Sequence, residues 1–371
     1  MIPIAISGVG MLSTLGRDPV ALAEQLAVSA RLPEAGPDGR AAAAIKDFDV
    51  RAELGRKGST FLDRRTALTL VACRAALDDA GVDIGALASG RCGAVLGTTV
   101  GSARSSIDYA RETFVQDPPH LVNPGLFPNT VMNCAAGQSA IRFGLKGVNA
   151  TIAGGPVAFA SVLRYCANLF RTEQADLLLG GAVEELTPHS SWLSRSWGRP
   201  TVPAGEGGAV FVLGPGRPGV RPDAEVVGVA LGFRPGPGRE PEAVGRCVRL
   251  ALEQAAEHGH ADPAADVATC ALRGGADETL DRAVWRAVLR EASVSPDDPP
   301  ERLVVHDHVG ECGSATQALE LAAVLGRHRV RPGLDGRLTV LAAHSADGAV
   351  GALVVRGWSR DGGSARGDDR L

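Results

Sequence analysis

The chain has 371 residues, 45% of them hydrophobic, and a formal net charge of −4. That length accommodates two ordinary domains or one large duplicated unit, and the charge balance leaves no basic face for nucleic acid. Aromatic residues make up only 4%, so the core must be built from Ala, Val and Leu.

In chain order, apolar alternation predicts a strand over residues 2–7. No basic residue precedes that run, so it reads as a strand and not as a signal peptide. Helical spacing follows at 20–30 and 66–80, then a strand at 92–96. Residues 102–113 and 130–143 read as helices, 150–153 as a strand and 156–170 as a helix. Buried strands follow at 177–179, 209–213 and 225–231. The turn-rich stretch Gly214-Pro-Gly-Arg-Pro-Gly-Val-Arg-Pro222 separates the last two and marks a boundary between residues 1–214 and 221–356.

The second half repeats the scheme: helix 242–258, strand 268–272, helix 279–292, strand 303–306 and helix 315–326. A strand at 339–343 then pairs with one at 349–355. Residues 357–371 are rich in Gly, Ser, Asp and Arg and read as a disordered tail. Strands alternating with helices in two similar halves point to an α/β protein.

No run approaches the roughly 20 apolar residues a membrane span needs. The seven cysteines are scattered, odd in number and without a C-x-x-C pair. They read as reduced, buried thiols of a cytoplasmic protein, with Cys134 and Cys166 on apolar helices in the core. Gly8-Val-Gly-Met-Leu-Ser13 falls short of a dinucleotide fingerprint, because Ser13 replaces the third glycine and no acidic strand end follows at the required distance. His306-Asp-His308 with Glu311 and Cys312 has metal-ligand residue types. Read as strand then turn, however, its alternate residues point apart. Cys312 beside His308 also has the makings of a Cys–His pair. Glu257-His-Gly-His260 reads as a solvated helix end. No cofactor or metal is expected.

Four segments, in order and spacing, carry a resemblance. They are Ile4-Ala-Ile-Ser-Gly-Val-Gly-Met-Leu-Ser-Thr-Leu-Gly16, Asn123-Pro-Gly-Leu-Phe-Pro-Asn-Thr-Val-Met-Asn-Cys-Ala-Ala-Gly137, Asp176-Leu-Leu-Leu-Gly-Gly-Ala-Val-Glu184 and Gly205-Glu-Gly-Gly-Ala-Val-Phe-Val-Leu213. Together they resemble the β-ketoacyl synthases, over nearly the whole chain. The resemblance implies a thiolase fold: duplicated βαβαβ halves in a five-layer αβαβα arrangement. It also implies dimers paired through Asn149, Ala150, Thr151, Ile152 and Ala153, an apolar strand without the charge that guards an exposed edge.

The same resemblance locates what is missing. The family holds its acyl chain on a thiolate at a helix N-terminus, assisted by two histidines and an oxyanion hole. Here Gly147-Val-Asn-Ala-Thr-Ile-Ala-Gly-Gly-Pro156 puts Pro156 at the thiol position; matching the glycine pair instead puts Ile152 there. Proline suits a first helical position, yet it lacks both the thiol and the N–H. Arg273 stands at the first histidine. Asp307, with His308 one residue away, stands at the second. No lysine follows Lys146, and Ser345-Ala-Asp-Gly-Ala-Val-Gly351 replaces a glycine-rich turn. The acyl tunnel of the family would be walled here by Ile107, Tyr109, Phe114 and Met132.

A synthase-like chain without a nucleophile resembles the chain-length factors of type II polyketide synthases, although these usually carry glutamine where this chain has Pro156. The expectation is a heterodimer with a catalytic ketosynthase subunit that shapes the tunnel for an acyl chain on acyl-carrier protein. Two alternatives stand beside it. One is a divergent acyltransferase or condensing enzyme using Cys312 or Cys134. The other is a homodimeric acyl-binding scaffold.

Overall fold

The computed structural model describes residues 1–28, 32, 42–196, 202–217, 219–260, 262–273, 278–292 and 299–360. Ten strands form one mixed ladder: β1 (Ile4–Leu12), β2 (Cys92–Thr98), β3 (Asn149–Ala153), β4 (Leu177–Glu184), β5 (Gly207–Pro215), β6 (Ala224–Phe233), β7 (Val267–Arg273), β8 (Glu301–Leu303), β9 (Leu338–His344) and β10 (Ala349–Gly357). Their spatial order is β8-β7-β9-β10-β6-β1-β5-β4-β2-β3. Numbered within its own half, each set of five strands has the order 3-2-4-5-1. The first three in that order are mutually parallel and the last two join antiparallel. The coarse duplication expected from the sequence is thus a duplication of topology. The two sets meet through a short seam, where Ile4, Ala5 and Ile6 pair antiparallel with Val226, Glu225 and Ala224.

The longer helices that build the layers are α1 (Pro19–Val28), α2 (Arg64–Ala80), α3 (Ala103–Val115), α4 (Cys134–Phe143), α5 (Ala158–Arg171), α6 (Glu240–Ala256), α7 (Glu278–Ala292) and α8 (Thr316–Val330). Three apolar clusters define five layers. α2 and α4 cover the outer face of β2, β4 and β5. α6 and α7 cover the outer face of the second half. Between the half-sheets lie α5 and α8, and their cluster gathers residues from β1, β5, β6, β9 and β10 together. This is the αβαβα arrangement of the thiolase fold.

The small-residue core explains how the layers close. A Cβ on Gly10 of β1 would lie 2.1 Å from the Ala72 carbonyl oxygen of α2. On Gly326 of α8 it would lie 1.9 Å from the carbonyl oxygen of Pro19. Glycine is therefore required where α1 crosses α8. An ion network locks the seam from the side. Arg360 donates to Asp79 at 2.8 Å and also pairs with Asp223, while Arg329 of α8 reaches Asp223 at 2.7 Å and pairs with Asp79.

Four sequence expectations need correction. Helix 130–143 begins at Cys134, because Pro124 and Pro128 hold the preceding stretch in a 3-10 turn, Pro124–Thr130. Strand 303–306 is displaced to Glu301–Leu303, and His306–Val309 forms one helical turn that stops at Gly310, whose φ is +84°. Glu257 and Gly259 are solvated as expected, but His260 is buried and bonds Asp266 at 2.8 Å. Residues 357–360 are not tail: Gly357 closes β10 and Arg360 is held by the ion network. Residues 361–371, and the end of helix 20–30, lie outside the described residues.

Candidate functional site

The site expected from the sequence lies where β3 runs into α5. The Gly154 N–H donates to the Thr98 carbonyl at 3.2 Å, and Gly155 takes a φ of +52° that a side chain would resist. Gly155–Val157 then makes one 3-10 turn and α5 starts at Ala158. Pro156 opens that turn, half-buried. Its ring nitrogen has no proton, so the turn loses nothing by it, while a ligand at this helix head meets one donor fewer. Ile152 stays within β3 and packs against the central cluster.

A second turn packs against the first. It is Gly313–Ala315, which leads into α8. Gly313 has a φ of +54°, and a Cβ there would fall 2.5 Å from Thr99 Oγ1. The Ser314 hydroxyl donates to Glu184 Oε1 at 2.6 Å, and the Ser314 N–H donates to Thr99 Oγ1 at 3.1 Å. The Thr99 N–H donates to the same Glu184 oxygen at 2.5 Å, and Arg65 Nε stands 4.0 Å from its partner oxygen. The space beside the Pro156 turn is thus cross-braced by a carboxylate with several donors. This is a structural knot, with no thiol or imidazole among those residues.

The other family positions converge from the second half. Asp307 and His308 lie on the helical turn His306–Val309, which runs through Cys312 into Gly313–Ala315. His308 is buried, and the Asp307 carboxylate stands 3.3 Å from His306 Nε2. The strand-then-turn reading of this stretch was wrong in its secondary structure, since His306–Val309 is a helical turn, but residues two apart on a helix do not share a face either. Among the described residues, no group of three or more His, Cys, Asp and Glu side chains is placed to hold a metal ion. Arg273 closes β7 opposite Ala343 of β9, and the end of β9 also reaches the Pro156 turn.

The candidate relocated thiols are both buried. Cys312 Sγ lies 3.6 Å from the Gly310 carbonyl oxygen of its own loop. Cys134 lies 3.5 Å from Asn129 Oδ1, and burial raises its pKa further from the thiolate range.

Ile107, Tyr109 and Phe114 lie on α3, and Met132 follows the Pro124–Thr130 turn that packs on α3. Tyr109 meets Phe127 edge to face, 5.8 Å between centroids. In the single chain these residues form a surface and not a closed channel: Phe114 is 88% exposed, and Ile107 and Met132 are about half exposed. Val115, Leu121, Phe127, Val131 and Ile141 are also exposed. Beside it, Asn149–Ala153 is the outer strand of the ladder, paired on one side with β2.

Sequence reading missed Glu185. It is buried beside Glu184, accepts from Ser102 Oγ at 2.9 Å and from the Arg65 N–H at 3.3 Å. Ser102 caps α3, so this carboxylate anchors the helix that carries the apolar surface. Burial, with Asp63 nearby, pushes its pKa up to about 7. The signal was a Glu-Glu pair ending an otherwise apolar strand.

Comparison with known proteins follows this geometry. Residues 1–207 match the family model described as "Beta-ketoacyl synthase, N-terminal domain". The 3-oxoacyl-[acyl-carrier-protein] synthase 2 of Coxiella burnetii is 23% identical over 310 residues, covering 71% of this chain and 74% of the relative. That of Vibrio harveyi is 27% identical over 146 residues, 39% of this chain and 35% of the relative. Alignments to the Vibrio and Staphylococcus synthases span about a third to a half of those proteins.

Among solved structures, "The ishigamide ketosynthase/chain length factor" superposes with a TM-score of 0.82 at 28% identity, over 97% of this chain and 100% of the other. A β-ketoacyl synthase from Burkholderia phymatum gives 0.81 at 19% identity, over 96% and 100%. A type II polyketide acyl-carrier protein in complex with its ketosynthase gives 0.76 at 16%, over 96% and 100%; these last two show the fold alone. With the family model matching more than half of its residues and the strand order, layers and helix-head turn in place, the chain belongs to the β-ketoacyl synthase family.

Proposed function

We propose that this chain is a non-catalytic, ketosynthase-like chain-length factor that pairs with an active β-ketoacyl-ACP synthase and shapes the acyl tunnel during polyketide elongation. Pro156 carries the reading. It stands at the head of α5, where the family's acyl-holding thiol belongs, and it supplies neither sulfur nor N–H. On this reading Arg273 takes the place of the first histidine, and Asp307, with His308 one residue away, that of the second, so the family's pair of histidines is not complete in this chain.

The surface supports a partner. The uncharged outer strand β3 and the exposed side chains of Ile107, Phe114, Met132 and Ile141 form an apolar face of the kind that marks a protein interface. Ile107, Tyr109, Phe114 and Met132 would then wall the tunnel once a catalytic subunit supplies the facing side, limiting chain length by steric exclusion. The 28% identity to a ketosynthase/chain-length-factor structure favours this reading over a homodimeric scaffold. Burial of Cys134 and Cys312 disfavours a relocated nucleophile.

The test is intact-mass spectrometry with acyl-loaded carrier protein, on this chain alone and with a synthase retaining Cys and both His. An adduct on the synthase alone, with extension requiring both chains, supports the proposal. An adduct on this chain overturns it. A soluble, monodisperse monomer that ignores the synthase also overturns it.

A further inference from the structure

The strand ends opposite Pro156 line an open cleft of about 730 Å³ at the seam between the halves. It gathers the start of β1 and β6, the end of β5 and β10, and the joint between them. Its volume lies in the range of small-molecule sites. Three guanidinium groups line it, those of Arg217, Arg221 and Arg356, against the carboxylates of Glu225 and Asp335.

Both carboxylates are already engaged. Glu225 accepts from Arg356 at 2.5 Å. Asp335 pairs with Arg221 and also accepts from the Ser359 N–H at 2.6 Å and its hydroxyl at 3.2 Å. Arg217 is exposed, and its charge acts on Asp176 only secondarily to Arg91. Three cations against two anions leave one formal positive charge at the cleft. The Arg221 and Arg356 guanidinium carbons lie 5.6 and 5.1 Å from the centre of the Trp358 ring, which helps hold both in place. Planar guanidinium forks fixed in this way match the paired oxygens of phosphate and carboxylate groups.

We propose that this seam cleft binds a small multivalent organic anion, with Arg217 and Arg221 as its principal contacts. A ligand there touches both halves and favours the closed, folded chain over the unfolded one. The proposal is independent of the chain-length-factor reading, since none of these residues borders the Pro156 turn.

The experiment titrates inorganic pyrophosphate, and separately citrate, into the full chain, followed by calorimetry and tryptophan emission. Saturable binding of at least one probe is expected, weakening with salt and accompanied by a rise in Tm. Preference for pyrophosphate marks a phosphate-bearing ligand; preference for citrate marks a polycarboxylate. Arg217→Ala should weaken binding about tenfold, the effect of roughly one lost charge-assisted contact. Trp358→Phe should remove the emission change but keep the calorimetric heat. Absence of saturable heat with either probe overturns the proposal. So does unchanged affinity in Arg217→Ala, an exposed substitution that leaves the fold intact.

Discussion

β3 and β8 hold the same place in their halves, the two ends of one ladder, yet they are built in opposite ways. β8 is three residues long. Its Glu301 pairs with Arg327, and Arg302 lies over the Trp285 ring at 4.8 Å. Charge and shortness blunt that edge. β3 has five residues and no charge, and it packs beside α4, on which Ile141 is exposed. The same topology thus guards one edge and leaves the other unguarded, and the unguarded edge is where the proposed partner would dock.

The sharpest way to break that comparison is to charge the unguarded side. Phe114→Asp combined with Ile141→Asp, exposed at 88% and 77%, should dissociate the assembly with a synthase partner. The cost of losing such anchors is about 2 kcal/mol or more each. Sedimentation velocity reads it, with circular dichroism to show an intact fold. Persistence of the complex would mean that β3 and its surroundings are not the interface.

The half with the guarded edge should instead fail by unfolding. Gly326→Ala forces a methyl group into the Pro19 carbonyl and should cost about 3 kcal/mol. Urea denaturation measures this, and a neutral result would place the α1–α8 crossing elsewhere than the structure does.

Two buried titratable groups, one in each half, have pKa shifts that oppose each other. Glu185 has its pKa raised from 4.5 to about 7. The protonated form is favoured in the folded state, so its contribution is present below pH 4.5 and lost as pH rises through 7. His328 is lowered from 6.5 to about 4, by burial first and then by Arg327. Its contribution is present above pH 6.5 and lost as pH falls through 4. Each shift corresponds to roughly 3 kcal/mol. Between about pH 4.5 and 6.5 they cancel in large part. Glu185→Gln should therefore give a Tm that rises across this window, and His328→Gln one that falls. Parallel curves for wild type and both variants would sink the assignment.

The smallest effect belongs to the guarded edge. Arg302→Ala removes one ring contact at β8 and should cost about 0.5–1 kcal/mol, with assembly unchanged. Loss of the complex in this variant would reverse the roles of the two edges.

Much of the site was legible because it depends on neighbours in the chain. Pro156 is recognisable at a helix head from Ala-Gly-Gly-Pro followed by apolar helical spacing. Asn149–Ala153 is recognisable as an unguarded strand from its lack of charge. The stretch 303–312 was misread, since a four-residue helical turn leaves no periodicity to detect. The Glu184–Thr99–Ser314 brace was invisible because its members lie 85 and 130 residues from Glu184.

The sequence by itself determined most elements of the two halves, which follow from local hydrophobic pattern, and its resemblance to the β-ketoacyl synthases implied the layering and pointed to Pro156. Only the tertiary structure decided how Glu185 anchors α3 and that three arginines separated in sequence share one cleft. Those outcomes depend on which distant segments the five layers press together, and on the cost of burying charge where they meet.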